Sequence, residues 1–226
     1  KNYKNLAKLL LCTSNTPKVL VIGGSILGEG MEALIKHSEI ELVESDVSFG
    51  PRTKLVCDAH NIPFEDKSFD GVIVQAVLEH VVDPSQCVEE IHRVLKEDGI
   101  IYAETPFMQQ VHGGRYDFTR FTHLGHRRLF RKFEEIESGA LCGPAMALIW
   151  SYRYFLLSFT TSSFLRKLIG LFVRLTCFYV TYLDYLLIDR PGTLDAASGY
   201  YFIGKKSNQT LSDKELVKLY KGLDQT

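Results

Sequence analysis

The sequence has no excess of charge of either sign. Its 26 Lys and Arg against 27 Asp and Glu over 226 residues leave a formal net charge of −1. With neither a global basic excess nor an acidic tail, nothing in it points to nucleic acid as a partner. Cysteine is sparse. Cys12, Cys57, Cys87, Cys142 and Cys177 are scattered and odd in number, with no CxxC and no Cys/His metal spacing. That excludes a zinc ribbon or a disulfide framework and leaves reduced, mostly buried thiols in a cytoplasmic protein. There is no clean membrane span either. Leu168 to Ile188 is long enough to tempt that reading. It contains Arg174 and Asp184, however, and Arg166 and Lys167 flank it, so a simple span is not expected. The chain begins at Lys1 rather than Met, and its polar-interrupted start lacks a secretory-leader pattern.

What is present centres on Leu55 to Phe107. Val72, Ile73 and Val74 form a short apolar run after Asp70-Gly71, as suits a strand buried on both faces. Ile100 to Ala103 form another, entered through Asp98-Gly99. Between them Val88, Ile91 and Leu95 recur at helical spacing, with Glu89, Glu90, Arg93 and Lys96 on the other face. Asp83-Pro84 supplies an N-cap and a helix-starting proline, and Gly99 suits the C-terminal end. Strand, helix, strand predicts a βαβ unit with parallel strands.

Upstream, residues 1–16 predict a short amphipathic helix carrying Leu6, Leu9 and Leu10. Val19 to Ile22 predicts the first buried strand. GGSILGEG follows, Gly23 to Gly30, then a helical stretch from Met31 to His37. Glycines between a strand and a helix let backbone approach a ligand, although the same turn also serves tight packing. Ile40 to Val43 predicts the second strand. Asp46, 23 positions past Gly23, is placed to bind ribose hydroxyls, with Glu44 the alternative acid. Leu55 to Cys57 predicts a third strand. Asp58 after it is either an acceptor for an exocyclic amine or a turn former. Gln75 ends the fourth.

Past Pro106, the loop Phe107 to Arg128 is dense in reactive groups: His112, Arg115, Tyr116, Asp117, Arg120, His123 and His126, with Gly113-Gly114 a flexible hinge. Loops after the carboxyl ends of parallel strands are where α/β sites are built. His123 and His126 read as structural or surface groups. Phe133 to Ser138 and Gly199 to Lys205 predict the last two strands. Between them, residues 145–196 form an apolar, aromatic insertion of two helices broken near Thr160 to Ser163. This insertion is expected to act as a cap, as a homodimer interface or as a peripheral membrane contact through 145–188, cap or interface first. Residues 207–226 predict a polar tail with a short helix, Asp213 to Tyr220.

The central segment resembles class I S-adenosylmethionine-dependent methyltransferases of the type 11 group. The resemblance rests on Ile62-Pro63-Phe64, Ser68-Phe69-Asp70, Leu78-Glu79-His80 and Arg93-Val94-Leu95-Lys96, in order across about fifty residues, and extends more weakly over 17–140. Asp98 replaces the first glycine of the family's usual pair. Val21 stands where an acid is expected in the first strand, and Ser25 and Leu27 stand at the second and third glycine positions. A subset of the family also carries a similar His-Gly-x-x-x-Asp-Tyr-x-Arg-Phe-Thr segment, which His112-Gly113, Asp117-Phe118 and Arg120-Phe121-Thr122 fit.

The resemblance implies a Rossmann-like, doubly wound, mostly parallel seven-stranded α/β sheet with an antiparallel last strand and a helical insertion before it. Residues 1–144 and 197–206 would form the cofactor-binding domain. The cofactor would be S-adenosylmethionine, the product S-adenosylhomocysteine. Gly23 and Gly24 would pass beneath it, with Gly28 serving in a longer loop. Asp46 would hold the ribose, Asp58 and Ala59 the adenine, and Gln75 would stand beside the sulfonium. His112, then Asp117 or His80, would be the base, and Tyr116 and Arg120 would contact a small-molecule acceptor. A sugar or envelope-glycan precursor methylated on O or N fits the aromatic insertion and the polar loop together. The alternatives are a non-catalytic binding module of the same fold and, less well supported, an NAD-dependent oxidoreductase, which does not explain Leu55–Phe107.

Overall fold

A computed structural model describes residues 1–223. Seven strands, β1 (Lys18–Ile22), β2 (Glu41–Asp46), β3 (Leu55–Val56), β4 (Phe69–Gln75), β5 (Leu95–Pro106), β6 (Phe133–Cys142) and β7 (Gly199–Lys206), form one sheet. Its order is β3-β2-β1-β4-β5-β7-β6. The pairs from β3 to β5 are parallel, and β7 runs antiparallel to both β5 and β6. The expected βαβ unit is there. β4 is buried on both faces until Gln75, as its unbroken apolar run requires.

Alternate residues feed two cores, because strand side chains change face every residue. Leu20, Val72, Val74, Ile101 and Ala103 meet helix α3 (Pro84–Val94) through Val88 and Ile91, together with Phe130, Phe133 and Phe202. Val19, Val21, Ile73, Tyr102 and Ile203 meet α1 (Asn2–Thr13) through Tyr3, Leu6 and Leu10, and α2 (Glu32–Ile35) through Leu34. Burying each such side chain contributes about 1.5–3 kcal/mol. α2 is shorter than the expected 31–37, and β2 runs on past Val43 to Asp46.

α3 starts as its sequence predicts. Asp83 accepts a hydrogen bond from Gln86 N at 3.0 Å, and Pro84 opens the helix. Its end differs. The helix stops at Val94, Gly99 lies inside β5, and the left-handed residue is Asp98, with φ of 65°. The residue that replaces the family's first glycine thus carries the backbone strain, and Lys205 pairs with its carboxylate at 2.7 Å. Gly99 is needed for space, since a Cβ there would lie 2.9 Å from the Lys96 carbonyl oxygen.

The long reactive loop leads into α4 (His123–Leu129). The insertion folds as α5 (Pro144–Leu157) and α6 (Ser163–Cys177), then a 3₁₀ stretch Phe178–Leu183 and the single turn α7 (Asp184–Leu187). The expected Leu168–Ile188 helix therefore breaks at Cys177. The cause is Asp184, whose carboxylate accepts from Ala145 N (2.9 Å) and Met146 N (3.1 Å). Capping the start of α5 folds this segment back. Among the described residues no helix is long and apolar enough to cross a membrane. The outer face of the insertion leaves Phe159 74% exposed, Phe164 67% and Leu175 64%. The tail helix α8 (Asp213–Val217) is held by a Ser212–Glu215 capping box and is shorter than expected.

Candidate active site

A cleft of about 590 Å³ opens over the carboxyl ends of β1, β2 and β4. The glycine turn makes one wall. Gly23 has φ of 75°, and a Cβ there would meet Val77 Cγ2 at 2.3 Å, so conformation and space both require glycine. Gly24 N donates to Ser45 O at 2.9 Å, tying the turn to β2. At the end of β2, Asp46 lines the cleft. Its carboxylate accepts from Ser48 N (3.0 Å), Ser48 Oγ (3.2 Å) and Ser25 N (3.3 Å). Partial burial pushes its pKa up, but these bonds outweigh burial and hold the group below its ordinary value. Glu44, the alternative acid, is buried and engaged by Arg52 and by Lys54, the latter at 3.3 Å.

Gln75 stands at the opposite end. It accepts from Tyr3 Oη at 2.9 Å and donates to Glu104 Oε2 at 2.9 Å and to Glu29 O at 3.2 Å. Glu104, opposite Gln75 in register on β5, also accepts from Tyr102 Oη. It lines the cleft, and burial pushes its pKa up. Glu104 thus puts a carboxylate on the cleft wall from β5, where Val21 on β1 supplies none. Sequence reading passed over Glu104 although it ends the IIYAE run. Val21 packs into the core beside Tyr3 and Tyr102. Ala76 follows Gln75 with φ of 51°, a strained conformation for a residue with a Cβ, on the cleft wall.

Ala59 and Cys57 line the cleft, but Asp58 does not. Asp58 is 64% exposed at its side chain and bonds His60 N (2.9 Å) and Nδ1 (2.6 Å). His60 Nε2 in turn accepts from Asp83 N at 3.1 Å. This places Asp58 in a turn that braces the start of α3, the alternative left open for it.

Beyond Val77, four of the expected loop and helix-start residues come together. Asp117 accepts from His112 N (2.7 Å), Gly113 N (3.0 Å) and Arg120 Nη2 (2.8 Å), with a second bond from Arg120 Nη1. The Arg120 guanidinium holds its carboxyl well below the usual carboxylate range. An anion so paired braces a loop and is a poor base. Arg120 also donates to the Gln109 and Gln110 carbonyls. His80 Nδ1 donates to Tyr116 O at 2.8 Å, and the His80 and His112 rings stand edge to face, 5.0 Å apart. Burial lowers the His112 pKa, so the ring is neutral near pH 7. Gly113 packs against His80: a Cβ there would strike His80 Cε1 at 2.4 Å. The Tyr116 side chain is exposed, and its carbonyl accepts from His80.

The unexpected member is Glu79. It has no solvent exposure, its main-chain oxygen accepts from Phe118 N (2.8 Å) and Thr119 N (3.2 Å), and neither carboxylate oxygen has a hydrogen-bond partner among the described residues. Burial raises its pKa to about 7. Its Oε1 lies 3.7 Å from His112 Nε2 and 3.8 Å from His80 Nε2. His123 and His126 are buried away from this group, against Tyr200.

The insertion contributes no lining residue to the cleft among those described. It reaches the reactive loop through Tyr154 Oη to Val111 O (2.9 Å) and Gln110 Nε2 to Ser151 Oγ (3.0 Å).

Comparison with known proteins agrees with this geometry. Residues 30–103 match the family model described as "Methyltransferase domain". The ubiquinone/menaquinone biosynthesis C-methyltransferase of Brucella canis is 33% identical over 81 residues, 36% of this chain and 27% of that protein. Its counterpart in Geotalea uraniireducens is 49% identical over 43 residues, 19% and 17% respectively. The chain thus spans about a quarter or less of the length of these curated relatives. Among solved structures, a 1,6-didemethyltoxoflavin-N1-methyltransferase of Burkholderia thailandensis with bound S-adenosylhomocysteine aligns at a TM-score of 0.52. It is 12% identical, covering 91% of this chain and 78% of that one. The cyclase SpnF aligns at 0.53 and 17% identity, covering 90% and 80%. At such identities the likeness is one of fold, and a fold hosts many chemistries. Over residues 30–103 the chain is thus similar to methyltransferase domains, and its 3-2-1-4-5-7-6 sheet, with a cleft over the strand ends, has the fold of S-adenosylmethionine-dependent methyltransferases.

Proposed function

We propose that the protein moves the methyl group of S-adenosylmethionine to an oxygen or nitrogen of a small-molecule acceptor, and that this acceptor is a sugar or envelope-glycan precursor with an apolar or lipid-linked part. The observation that carries the reading is one cleft with Asp46 at one end and the Gln75–Glu104 pair at the other. Its volume suits a cofactor-sized ligand. The Asp46 carboxylate accepts two ribose hydroxyls, Gly23 and Gly24 let the ligand lie against backbone, and Ala59 packs beside the base. Glu104 and Gln75 receive the polar end of the ligand's amino-acid portion. The bound cofactor supplies an already activated methyl group, so holding the acceptor in line supplies much of the rate. The group beyond Val77 orients the acceptor, and His112, neutral near pH 7, takes its proton, with Arg120 and Tyr116 contacting its polar part.

The exposed aromatic face of the insertion, with Arg166, Lys167 and Arg174 on α6, supports delivery of such an acceptor from an anionic membrane surface. The curated relatives named above, whose names refer to ubiquinone and menaquinone biosynthesis, are consistent with an acceptor carrying an apolar part.

Isothermal titration of the full chain with S-adenosylmethionine and S-adenosylhomocysteine tests the reading. Micromolar binding of both, weakened about ten- to a hundredfold by Asp46→Asn through loss of charged hydrogen bonds, is expected. Binding of neither would sink it. A second reading, a binding module without turnover, is favoured by Val21 and by Ser25 and Leu27 in the glycine turn. Tight binding with no methyl transfer to any of a panel of lipid-linked and free sugars would select it.

A further inference from the structure

We infer that Glu79, His80 and His112 form a binding site for a divalent first-row transition-metal ion. One ligand atom from each residue lies within 4.8 Å of the others. The two imidazole Nε2 atoms are 3.8 and 3.7 Å from Glu79 Oε1. Metal–nitrogen and metal–oxygen bonds of about 2.0–2.2 Å put neighbouring ligand atoms roughly 3–3.5 Å apart, so the two Glu79–imidazole distances need contract by only a few tenths of an ångström and a turn of the imidazole rings brings the set together.

Three features point to an ion rather than to chance proximity. The Glu79 side chain is fully buried, yet neither of its oxygens has a hydrogen-bond donor among the described residues. A buried carboxylate left so is costly, and a cation compensates it directly. The His80 ring is oriented from behind, its Nδ1 donating to Tyr116 O at 2.8 Å, while His112 Nδ1 has both Gln110 O (3.4 Å) and Arg120 Nη2 (3.5 Å) beside it. A backbone carbonyl on the far nitrogen is the usual support of a metal-ligating imidazole, because it fixes the proton on Nδ1 and leaves the Nε2 lone pair free. Finally, the two side chains are each 28% exposed, so an ion has a way in and keeps open positions for solvent or substrate. Two imidazoles and one carboxylate select zinc, iron, cobalt, nickel or manganese over magnesium or calcium.

The purpose of the site rests on the methyltransferase reading. His80 forms part of the cleft wall, so the ion would adjoin the methyl donor and offer a coordination position to an acceptor oxygen. With the ion bound, His112 Nε2 is a ligand and no longer a base. The acceptor hydroxyl would then lose its proton to solvent while coordinated, since a bound cation lowers the pKa of its oxygen ligand.

The test needs neither cofactor nor acceptor. The full chain, stripped with a chelator, is titrated with Zn²⁺ by calorimetry and with Co²⁺ by visible absorption. One equivalent bound at micromolar or tighter affinity is expected, with Co²⁺ ligand-field bands. His112→Ala, His80→Ala and Glu79→Gln should each weaken it at least tenfold, while His37→Ala leaves it unchanged. Should Glu79→Gln fail to fold, the two partly exposed histidines carry the test, together with a Zn²⁺-dependent rise in melting temperature that His112→Ala abolishes. No binding of either metal, or binding that survives all the substitutions, would overturn the site. Metal binding without S-adenosylmethionine binding would remove only the cofactor reading, and the converse only the ion.

Discussion

Gly28 lies directly on the side-chain amide of Gln75: a Cβ at position 28 would come within 1.8 Å of Gln75 Oε1. That oxygen also accepts from Tyr3 Oη, and the same amide donates to Glu104. Gly28→Ala therefore has to displace Gln75 and disturb both bonds. The expected cost is about 1–3 kcal/mol of stability, with at least a tenfold loss of S-adenosylmethionine affinity. Gln75→Ala alone weakens binding too, and adding Gly28→Ala to it should cost little more. Calorimetry and thermal melts on the double-mutant cycle read this directly; fully additive losses would mean the two residues act separately.

Asp117 is expected to act as a brace. Replacing it by Asn leaves Arg120 without its anion and weakens the acceptor for two backbone N–H groups. The change should cost about 3 kcal/mol or more, as for a buried pair broken on one side. Limited proteolysis should open the 107–122 loop first. If Asp117 were instead the base, the loop would stay protected while turnover alone fell, with KM unchanged.

His126 makes stability depend on acid. Burial, then the neighbouring His123 and Arg127 charges, pushes its pKa down to about 3 from the ordinary 6.5. Between these values the unfolded chain binds a proton at this position and the folded chain does not. Folding stability is therefore intact above about pH 6.5 and falls as the pH drops toward 3, by up to about 1.4 kcal/mol per pH unit from this group. His126→Phe keeps the ring among Tyr200, Phe130 and Phe202 and should flatten the melting temperature against pH over pH 4–6.5. An unchanged slope would assign the acid sensitivity elsewhere.

The insertion should bind anionic vesicles. Phe159 and Phe164 are exposed, with Arg166 and Lys167 adjacent in sequence. Co-sedimentation with phosphatidylglycerol-containing vesicles should fall several-fold for Phe159→Ser with Phe164→Ser. It should also fall in high salt, as screening weakens the basic contribution. A protein that ignores vesicles and instead doubles its mass in sedimentation would make this face a contact between copies.

Much of the sheet was legible because its signals are local. β4 and β5 carry the apolar runs Val72–Val74 and Ile100–Ala103, and Asp83-Pro84 fixes the start of α3 within four residues. The glycine turn and Asp46 were legible by spacing. What escaped depends on contacts distant in sequence. The end of α6 is set by Asp184 capping α5 across 39 residues, which no periodicity records. Asp58 is a local case: it engages His60 two residues on, as the turn former that was one of its two expected roles. Glu104 gains its place only through its register with Gln75, and Glu79 reads as one polar letter in Leu-Glu-His until loop 107–122 closes over it. Position 98 shows the opposite case. The departure from Gly-Gly was visible, but the left-handed backbone that made it matter was not.

The insertion leaves the sheet at Cys142 and returns at Gly199, its neighbour across β6 and β7, with Ser198 N donating to Cys142 O at 2.9 Å. The two ends of the excursion therefore meet. Lengthening, trimming or exchanging what lies between them changes the cost of closing the loop only slowly, roughly as the logarithm of its length. It leaves every strand in register. The outer segment can thus be exchanged for another without moving the strand ends that build the cleft.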